Sequence, residues 1–298
     1  MRKKWMIIAA FTQAAYVFAQ IELRSEYLPQ QKYINNNGDK SSSLTTTFTA
    51  TIPVSINPSG YQQPSIWAAT LNASYTSFSN EGTAAEALPK EMGSADFGVM
   101  YMTPLNEKLM FIGGASAGVY STHTDVKKLE MDHVVVNVYS SFIWQVRPKI
   151  KLGVALVGNN AFDKPMLIPM PYFQYHSEKA HGMEYHAELS YNPKFSVGYR
   201  FNDVFALRIV NRPKFFFSLA KIEGQKKYFD HHYVSLGMEP EYRFKNWTVS
   251  GTFGANFGRT DRYRDREPSN FLKWGNATFD PSFYISAGIK YNFAKKHN

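Results

Sequence analysis

The sequence predicts an all-β protein, an antiparallel transmembrane β-barrel of about 14 strands preceded by a cleaved signal peptide. Residues 283–293 alternate apolar with polar or small residues, as a strand between lipid and water does. The predicted connections alternate between short and long, as they do in transmembrane barrels. After the N-terminal segment, no stretch approaches the ~20 apolar residues of a spanning helix.

The closing strand, 283–293, shows the alternation most clearly. Its apolar side ends in Tyr291 and Phe293, which suits a wall that meets lipid headgroups. Its other side carries Lys290 and Asn292 among small residues, which suits a wall that lines water. We therefore expect Lys290 to face the lumen.

The same period of two predicts the other strands in chain order. Pro53 falls inside the second strand and predicts a bulge there. If the short hairpin at Pro193 does not form, the count falls to about 12. Short turns are predicted at Pro58, Pro104, Pro148, Glu178, Asn202 and Lys245. The predicted strands before the closing one are 20–28, 46–56, 66–78, 96–103, 109–120, 134–146, 150–158, 167–176, 183–191, 195–201, 205–219, 233–244 and 247–257.

The clearest hairpin joins the last two of these strands through Lys245 and Asn246. A two-residue turn pairs Phe244 with Trp247 and puts both aromatics on one face. Continuing the pairing puts Val249 on the lipid face and Ser250 on the lumen face. A slip of one residue would exchange the two faces, which burial disfavours.

The N-terminal segment predicts export. Three cations follow Met1, an apolar run extends from Trp5 to Phe18, and the small residues Val17 and Ala19 form a peptidase site. We expect residues 1–19 to be the signal peptide and residues 20–298 to be an outer-membrane β-barrel. The run is too short to span a membrane as a helix.

We predict that the mature chain starts at Gln20. Intact-mass analysis of the exported protein is expected to give the mass of residues 20–298. A mass that retains Met1 would show that the segment is not removed.

Composition narrows the class of protein. The chain has no cysteine, which excludes a lipid anchor on a cysteine thiol, disulfides and cysteine–zinc sites. The net charge is +9, but the basic residues are scattered, so we expect no nucleic-acid partner. Anionic lipid explains the charge more simply. The expected partners are outer-membrane lipid, lipopolysaccharide and the outer-membrane assembly machinery, and no cofactor is predicted.

Two segments carry a family resemblance, 191–203 (YNPKFSVGYRFND) and 287–293 (AGIKYNF). They resemble an uncharacterised family of Gram-negative outer-membrane β-barrels, described as a domain of unknown function. The resemblance spans most of the mature chain and rests on strand and turn patterns. It implies an outer-membrane barrel and transfers no catalytic residue.

The polar sides of the strands supply the candidate site. The odd-numbered residues of 183–189, which are Met183, Tyr185, Ala187 and Leu189, point outward, so the even-numbered residues between them point into the lumen. The same alternation applies to later strands. Arg or Lys on the lipid side would cost roughly 2–4 kcal/mol near the midplane. These charges therefore form a paired network that fills the barrel or a charged constriction in a solute pathway. A carboxylate–histidine catalytic site is the least favoured interpretation. The lumen-facing candidates are Glu184, His186, Glu188, Arg200, Arg208, Glu239, Glu241, Arg243 and Lys290.

The remaining motifs are weaker evidence for a functional site. Gly114-Ala115-Ser116-Ala117-Gly118 matches a nucleophile elbow, but small residues on a strand explain it as well. His231 and His232 point to opposite faces of a strand and cannot share a metal ion without a bulge, so we interpret them as a pair at a loop edge. No metal site or catalytic residue is predicted. The segment 260–267 is expected to be a charged loop, either simply solvated or with its arginines on lipopolysaccharide phosphates.

Two functions remain open at this point. One is a passive or selective channel for small solutes in the outer membrane. The other is a closed structural or interaction barrel that acts through its extracellular loops. A hydrolase that uses Ser116 is the weakest hypothesis, and we expect no enzyme.

Overall fold

A computed structural model describes residues 19–34, 38–61, 63–177, 181–190, 193–271 and 277–293. The predicted signal peptide lies outside these residues except for Ala19. The turn predicted near Glu178 also lies largely outside them.

The chain forms a closed barrel of 14 antiparallel strands. Each strand pairs with the next one along the chain, and β1 closes the ring against β14. The short hairpin at Pro193 forms, since β9 pairs with β10. The prediction of 14 strands is therefore confirmed, and 12 is wrong. The strands are β1 Gln20–Lys32, β2 Lys40–Asn57, β3 Ser65–Glu81, β4 Glu91–Pro104, β5 Leu109–Ser121, β6 Val134–Arg147, β7 Ile150–Asn159, β8 Met166–Ser177, β9 Gly182–Leu189, β10 Lys194–Arg200, β11 Phe205–Ile222, β12 Gln225–Phe244, β13 Trp247–Asp265 and β14 Ser282–Asn292.

Helices occur only as short pieces in the connections that the structure describes. These are α1, Ala84–Ala87, and α2, Pro268–Phe271, with two 3₁₀ turns at Val126–Lys128 and Met131–His133. Across the described ranges, no helix is long and apolar enough to cross a membrane.

Two sequence details are confirmed and one is corrected. The register of β2 and β3 shifts between Pro53 and Ser55, as a bulge requires. Phe244 pairs with Trp247 and Glu241 with Ser250 in one continuous register. The expected loop 260–267 is wrong, because β13 continues to Asp265 against β12. Long-range pairing with β12 extends this charged segment as a strand where local sequence predicts a solvated loop.

The two rims of the barrel differ. We call the rim that holds both chain termini of the barrel and the Lys245–Asn246 turn the turn end, and the opposite rim the loop end. At the turn end, outward aromatics pack in pairs, with ring centroids 4.6 Å apart for Trp67 and Tyr101 and 4.7 Å apart for Trp247 and Tyr291. Leu71, Phe97 and Val154 are exposed on the outer surface above them. An aromatic row below an apolar band is the surface of a membrane-spanning barrel.

The strands differ greatly in length. β11, β12 and β13 have 18, 20 and 19 residues, whereas β9 and β10 have 8 and 7. The wall is therefore low at β9 and β10, and β11 continues beyond its last partner on β10. The part of β11 and β12 between Pro213 and Val234 is called the lid hairpin below. Its tip is the two-residue turn Glu223–Gly224, and the positive φ of both residues matches the twist of a tight hairpin.

The lid hairpin leaves the wall and crosses the loop end of the lumen. Leu219 forms a parallel bridge with Ser121 of β5, which lies six strands away around the ring. The Thr122 amide donates to the Leu219 carbonyl oxygen at 3.3 Å. The rings of Tyr120 and Phe217 stack with centroids 4.9 Å apart. The hairpin thus contacts the opposite side of the barrel.

Both faces of the lid hairpin are buried against apolar side chains. On one face Leu219 and Tyr228 pack with Val135 of β6 and with Ala161 and Phe162 of the β7–β8 connection. On the other face lies a second cluster, which the lid hairpin shares with β3, β4 and the β3–β4 and β13–β14 connections: Phe78, Ala84, Leu88, Met92, Phe229 and Phe279. An ordinary strand extension would not bury both faces. The hairpin is therefore packed as part of the core at the loop end.

Candidate functional site in the lumen

The lumen has two unlike sides. We call the lumen-facing side chains of β9–β14 and β1 the charged wall, and those of β2–β8 the neutral wall. The neutral wall carries hydroxyls, amides, alanine, methionine and other apolar residues, with the exceptions of Asp96, Lys151 and His176. The charged wall carries acidic and basic groups at alternate positions of successive strands. Alternation along each strand produces this arrangement, because every second side chain points inward.

The layer of the charged wall nearest the turn end is built around Glu184. Its carboxylate is 5% exposed and pairs with Arg200 and, at 2.7 Å, with Nη2 of Arg208. Arg208 Nη1 reaches a second carboxylate, Glu241, at 2.7 Å, and Glu241 also accepts from Arg243 Nε at 2.5 Å. Three arginines and two glutamates therefore form one connected network. Buried arginine and carboxylate groups in this arrangement satisfy one another.

The next layer joins strands that are distant in sequence. Arg212 Nη2 lies 2.6 Å from Glu239 Oε2, and Thr252 donates to the same oxygen at 2.8 Å. Arg24 of β1 lies 3.7 Å from Glu239 and donates to the hydroxyls of Ser250 and Ser286, each at 3.1 Å. This layer connects the first strand of the barrel to its last four.

A third layer surrounds Glu26, which is 1% exposed. Its carboxylate accepts hydrogen bonds from Tyr233 at 3.0 Å and from Tyr284 at 2.5 Å, and Lys214 Nζ lies 3.3 Å away. Glu26 is held entirely by groups of other strands, so this layer also fixes β1 against β11, β12 and β14.

The layer nearest the loop end depends on a backbone irregularity. Gly258 has a φ of +65° and lies where the register of β12 and β13 shifts, as in a bulge that requires glycine. The extra residue reverses the alternation, so Arg259 and Asp261 point inward although Phe257 points outward. Arg259 and Asp261 pair at 2.5 Å, and His231 Nδ1 lies 2.5 Å from Asp261. Arg259 also donates to the Ser41 carbonyl oxygen of β2 at 3.0 Å.

The structure places the sequence candidates in two groups. Glu184, Arg200, Arg208, Glu239, Glu241 and Arg243 lie in the first two layers. His186 and Glu188 lie beside them on β9, with His186 Nε2 3.4 Å from Glu188 and its Nδ1 3.2 Å from Nδ1 of His176. Lys290 stands opposite Glu22 of β1 and Thr248 of β13 in the register.

The interpretation of His231 and His232 as a loop-edge pair is wrong. Both lie in β12, where pairing with β13 continues past the expected strand end. His231 is fully buried beside Asp261, and His232 lies 3.0 Å from Asp230 on the other face. Ser116 lies in the middle of β5, far from any strand-to-helix turn, and accepts from Asn137 at 3.4 Å.

Sequence reasoning missed half of the charged wall. The missed members are Glu22, Arg24, Glu26, Lys194, Arg212, Lys214, His231, Arg259 and Asp261. A signal was present in β1, where Glu22, Arg24 and Glu26 alternate with Ile21, Leu23 and Ser25. No local signal marks Arg259 and Asp261, because the bulge at Gly258 reverses the pattern that would have identified them.

The neutral wall is accessible to water. Asn72 points into the lumen beside Asp96, to which it donates at 3.2 Å, yet its side chain is exposed. At the turn end, a cavity of about 300 Å³ is lined by turn residues such as Asn106 and Pro148 and by the inward-facing Met110, Ile143 and Lys151. The charged wall is packed upon itself. The lid hairpin crosses the lumen at the loop end.

A closed ring of strands, an apolar outer band and a polar interior define a membrane-spanning β-barrel. The chain belongs to the family described as a domain of unknown function, DUF6268, whose model matches residues 15–292.

Among curated proteins no match was found. Solved structures with a similar chain trace include an outer-membrane channel from Pseudomonas putida F1, at 8% identity and a TM-score of 0.46 over 92% of this chain and 95% of that one. The KdgM porin in complex with disordered oligogalacturonate has 9% identity and a TM-score of 0.36, over 92% of this chain and 99% of that one. The Pseudomonas putida toluene transporter TodX has 9% identity and a TM-score of 0.37, over 95% of this chain and 92% of that one.

Proposed function

We propose that the protein is an outer-membrane channel for small solutes, closed at its loop end by the lid hairpin. The observation that carries this proposal is the exposed lumen side chain of Asn72 on the neutral wall, together with the cavity at the turn end of that wall. A barrel that serves only as a scaffold has no need of exposed lumen groups such as Asn72 beneath a packed cap. The lid hairpin is also the one part of the ring whose strand leaves the wall to reach the other side, among the strands that the structure describes.

The charged wall influences which solutes the proposed channel favours. Its carboxylates and guanidinium groups are paired with one another, so it presents little unpaired charge to a solute. A solute moving along the neutral wall meets hydroxyls, amides and methionines. This chemistry favours small uncharged molecules over strongly charged ones.

The alternative function, a closed structural barrel, is favoured by a specific observation. Apolar clusters bury both faces of the lid hairpin, which stabilises the closed state. The two functions differ in whether the hairpin ever leaves this position.

We further propose the partners. Lipopolysaccharide is expected at the loop end, above the apolar band. Arg264 is not its contact, because its side chain is 11% exposed and lies 3.0 Å from the Asp230 carboxylate. Outer-membrane lipid would surround the apolar band, and the outer-membrane machinery would assemble the barrel.

Shortening the lid hairpin tests the channel. Joining Phe217 to Asp230 through an Asn-Gly turn removes Leu219, Tyr228 and Phe229 and with them the contacts to the opposite wall. Single-channel recordings in planar bilayers are expected to show brief openings for the natural chain and long-lived openings for the shortened one.

A matched variant controls for shortening itself. Joining Lys221 to Lys226 through the same turn removes only the tip, Ile222–Gln225, and keeps the buried contacts, so it should conduct like the natural chain. Absence of conductance from the fully shortened barrel, with folding verified by its heat-dependent gel mobility, would contradict the channel and favour the closed barrel.

A further inference from the structure

The wall of the barrel is incomplete on the side of β9 and β10. A strand needs about 9–11 residues to span the membrane, and these two have 8 and 7. The first pair of β8 with β9 is Phe173 with Leu189, so residues 166–172 of β8 have no partner on that side. On β11 the last partner on β10 is opposite Asn211, and the strand then turns inward toward β5. Two facing strand edges are thus unpaired above a low hairpin, within the described residues.

Prolines stand on both open edges. The His176 amide donates toward β7, to the Lys149 carbonyl oxygen at 3.0 Å, so even-numbered amides of β8 point to β7. Odd-numbered positions, including Pro169 and Pro171, therefore face the open side. A proline there leaves no unsatisfied N–H, and proline in a sheet is confined to such edges or to bulges.

The β11 edge on the other side of the gap also contains a proline. The Phe205 carbonyl oxygen accepts from the Phe201 amide at 3.1 Å, and that of Leu219 accepts from Thr122. The backbone amide and carbonyl groups of odd-numbered β11 residues therefore point away from β12. Pro213 is one of these residues and lies at the start of the part of β11 that has no partner on β10. Three prolines thus remove amide donors from the two edges, which lowers the cost of leaving these edges without a partner strand, although their carbonyl oxygens remain.

The lining of the gap is apolar. Ile168, Met170 and Tyr172 of β8 lie on its lumen side, and Leu167 is 62% exposed at its outer lip. Across the gap, Phe215 of β11 is 51% exposed. Seven strand residues extend about 23 Å along a tilted strand, which reaches through the half of the membrane nearest the loop end. The floor is polar, because Glu188 pairs with Lys194 in the β9–β10 register.

We propose that this gap is a lateral notch that admits apolar molecules from the membrane leaflet at the loop end into the lumen. The role of the notch depends on the proposed channel, whereas the notch itself is a feature of the barrel wall. Because the lid hairpin closes the axial exit at the loop end, the notch is the opening through which an apolar molecule on the neutral wall exchanges with lipid. Met170, whose thioether is soft and adaptable, lies at the inner lip.

Fluorescence quenching by lipid tests the notch directly. The chain has no cysteine, so Met170→Cys, Ser116→Cys and Leu156→Cys each carry one label. Each variant is labelled with bimane and folded into vesicles of phospholipids with brominated acyl chains. Leu156 faces outward on β7 and gives the value for full contact with acyl chains. Ser116 faces the lumen on β5, away from the notch, and gives the value for an enclosed position.

Quenching at Met170 closer to the Leu156 value than to the Ser116 value is expected. Quenching at Met170 equal to that at Ser116 would overturn the notch. Conductance is measured on the same barrels. Quenching without conductance would support the notch and count against the channel, whereas conductance without quenching would support the channel and overturn the notch.

Discussion

Replacing Glu184 with glutamine is expected to lower the free energy of unfolding by about 3–5 kcal/mol, because it removes one partner from a buried charge network. The carboxylate pairs with both Arg200 and Arg208. Without it, these two buried guanidinium groups share Glu241 as a carboxylate partner, and Glu241 already pairs with Arg243. An amide oxygen accepts hydrogen bonds but supplies no charge to offset two cations.

Glu188→Gln is the matched control on the same strand. Its side chain is 27% exposed and contacts His186 and Ser190, with Lys194 opposite it in the register, so we expect a smaller loss of about 1 kcal/mol. Reversible urea titration of folding into lipid vesicles measures both variants. Equal losses would show that Glu184 does not hold the network together.

Leu71→Arg is expected to cost about 2–4 kcal/mol of folding free energy, because Leu71 lies on the outer apolar band of β3. Its neighbour Asn72 points into the lumen beside Asp96, so Asn72→Arg gains a nearby carboxylate and water and should cost less than about 1 kcal/mol. Val249 and Ser250 of the β12–β13 hairpin are a less suitable pair for this test, because Ser250 accepts a hydrogen bond from Arg24.

The same folding titration measures the Leu71 and Asn72 variants. Similar costs at the two positions would show that both faces of β3 meet the same medium. That result would remove the basis for placing lipid outside and water inside.

Alternation along single strands predicted much of this structure. It identified the closing strand, the register of Phe244 with Trp247 and the bulge at Pro53, because each depends on neighbours in one strand or one hairpin. It also identified inward positions such as Glu184 and Arg208. It did not show which inward side chains meet, because Arg24 reaches Glu239 only when β1 closes against β14.

The lid hairpin and the notch were beyond such reasoning. Both follow from differences in strand length between β9–β10 and β11–β13, which pairing across the sheet decides. The segment 260–265 is densely charged and looks like a solvated loop until β12 pairs with it. Similarly, the bulge at Gly258 changes which residues face inward without changing the composition of the strand.

A reversible cross-link between Ser121 and Leu219 tests most directly whether the barrel is a channel closed by its lid hairpin. These residues are bridge partners, so their backbones lie within the range that a disulfide joins. The natural chain has no cysteine to compete with Ser121→Cys and Leu219→Cys. Single-channel recording of the oxidised barrel is expected to show no openings, and adding a reductant to the same bilayer should restore them. Openings of equal size and frequency in the oxidised and reduced barrels would contradict closure by the lid hairpin.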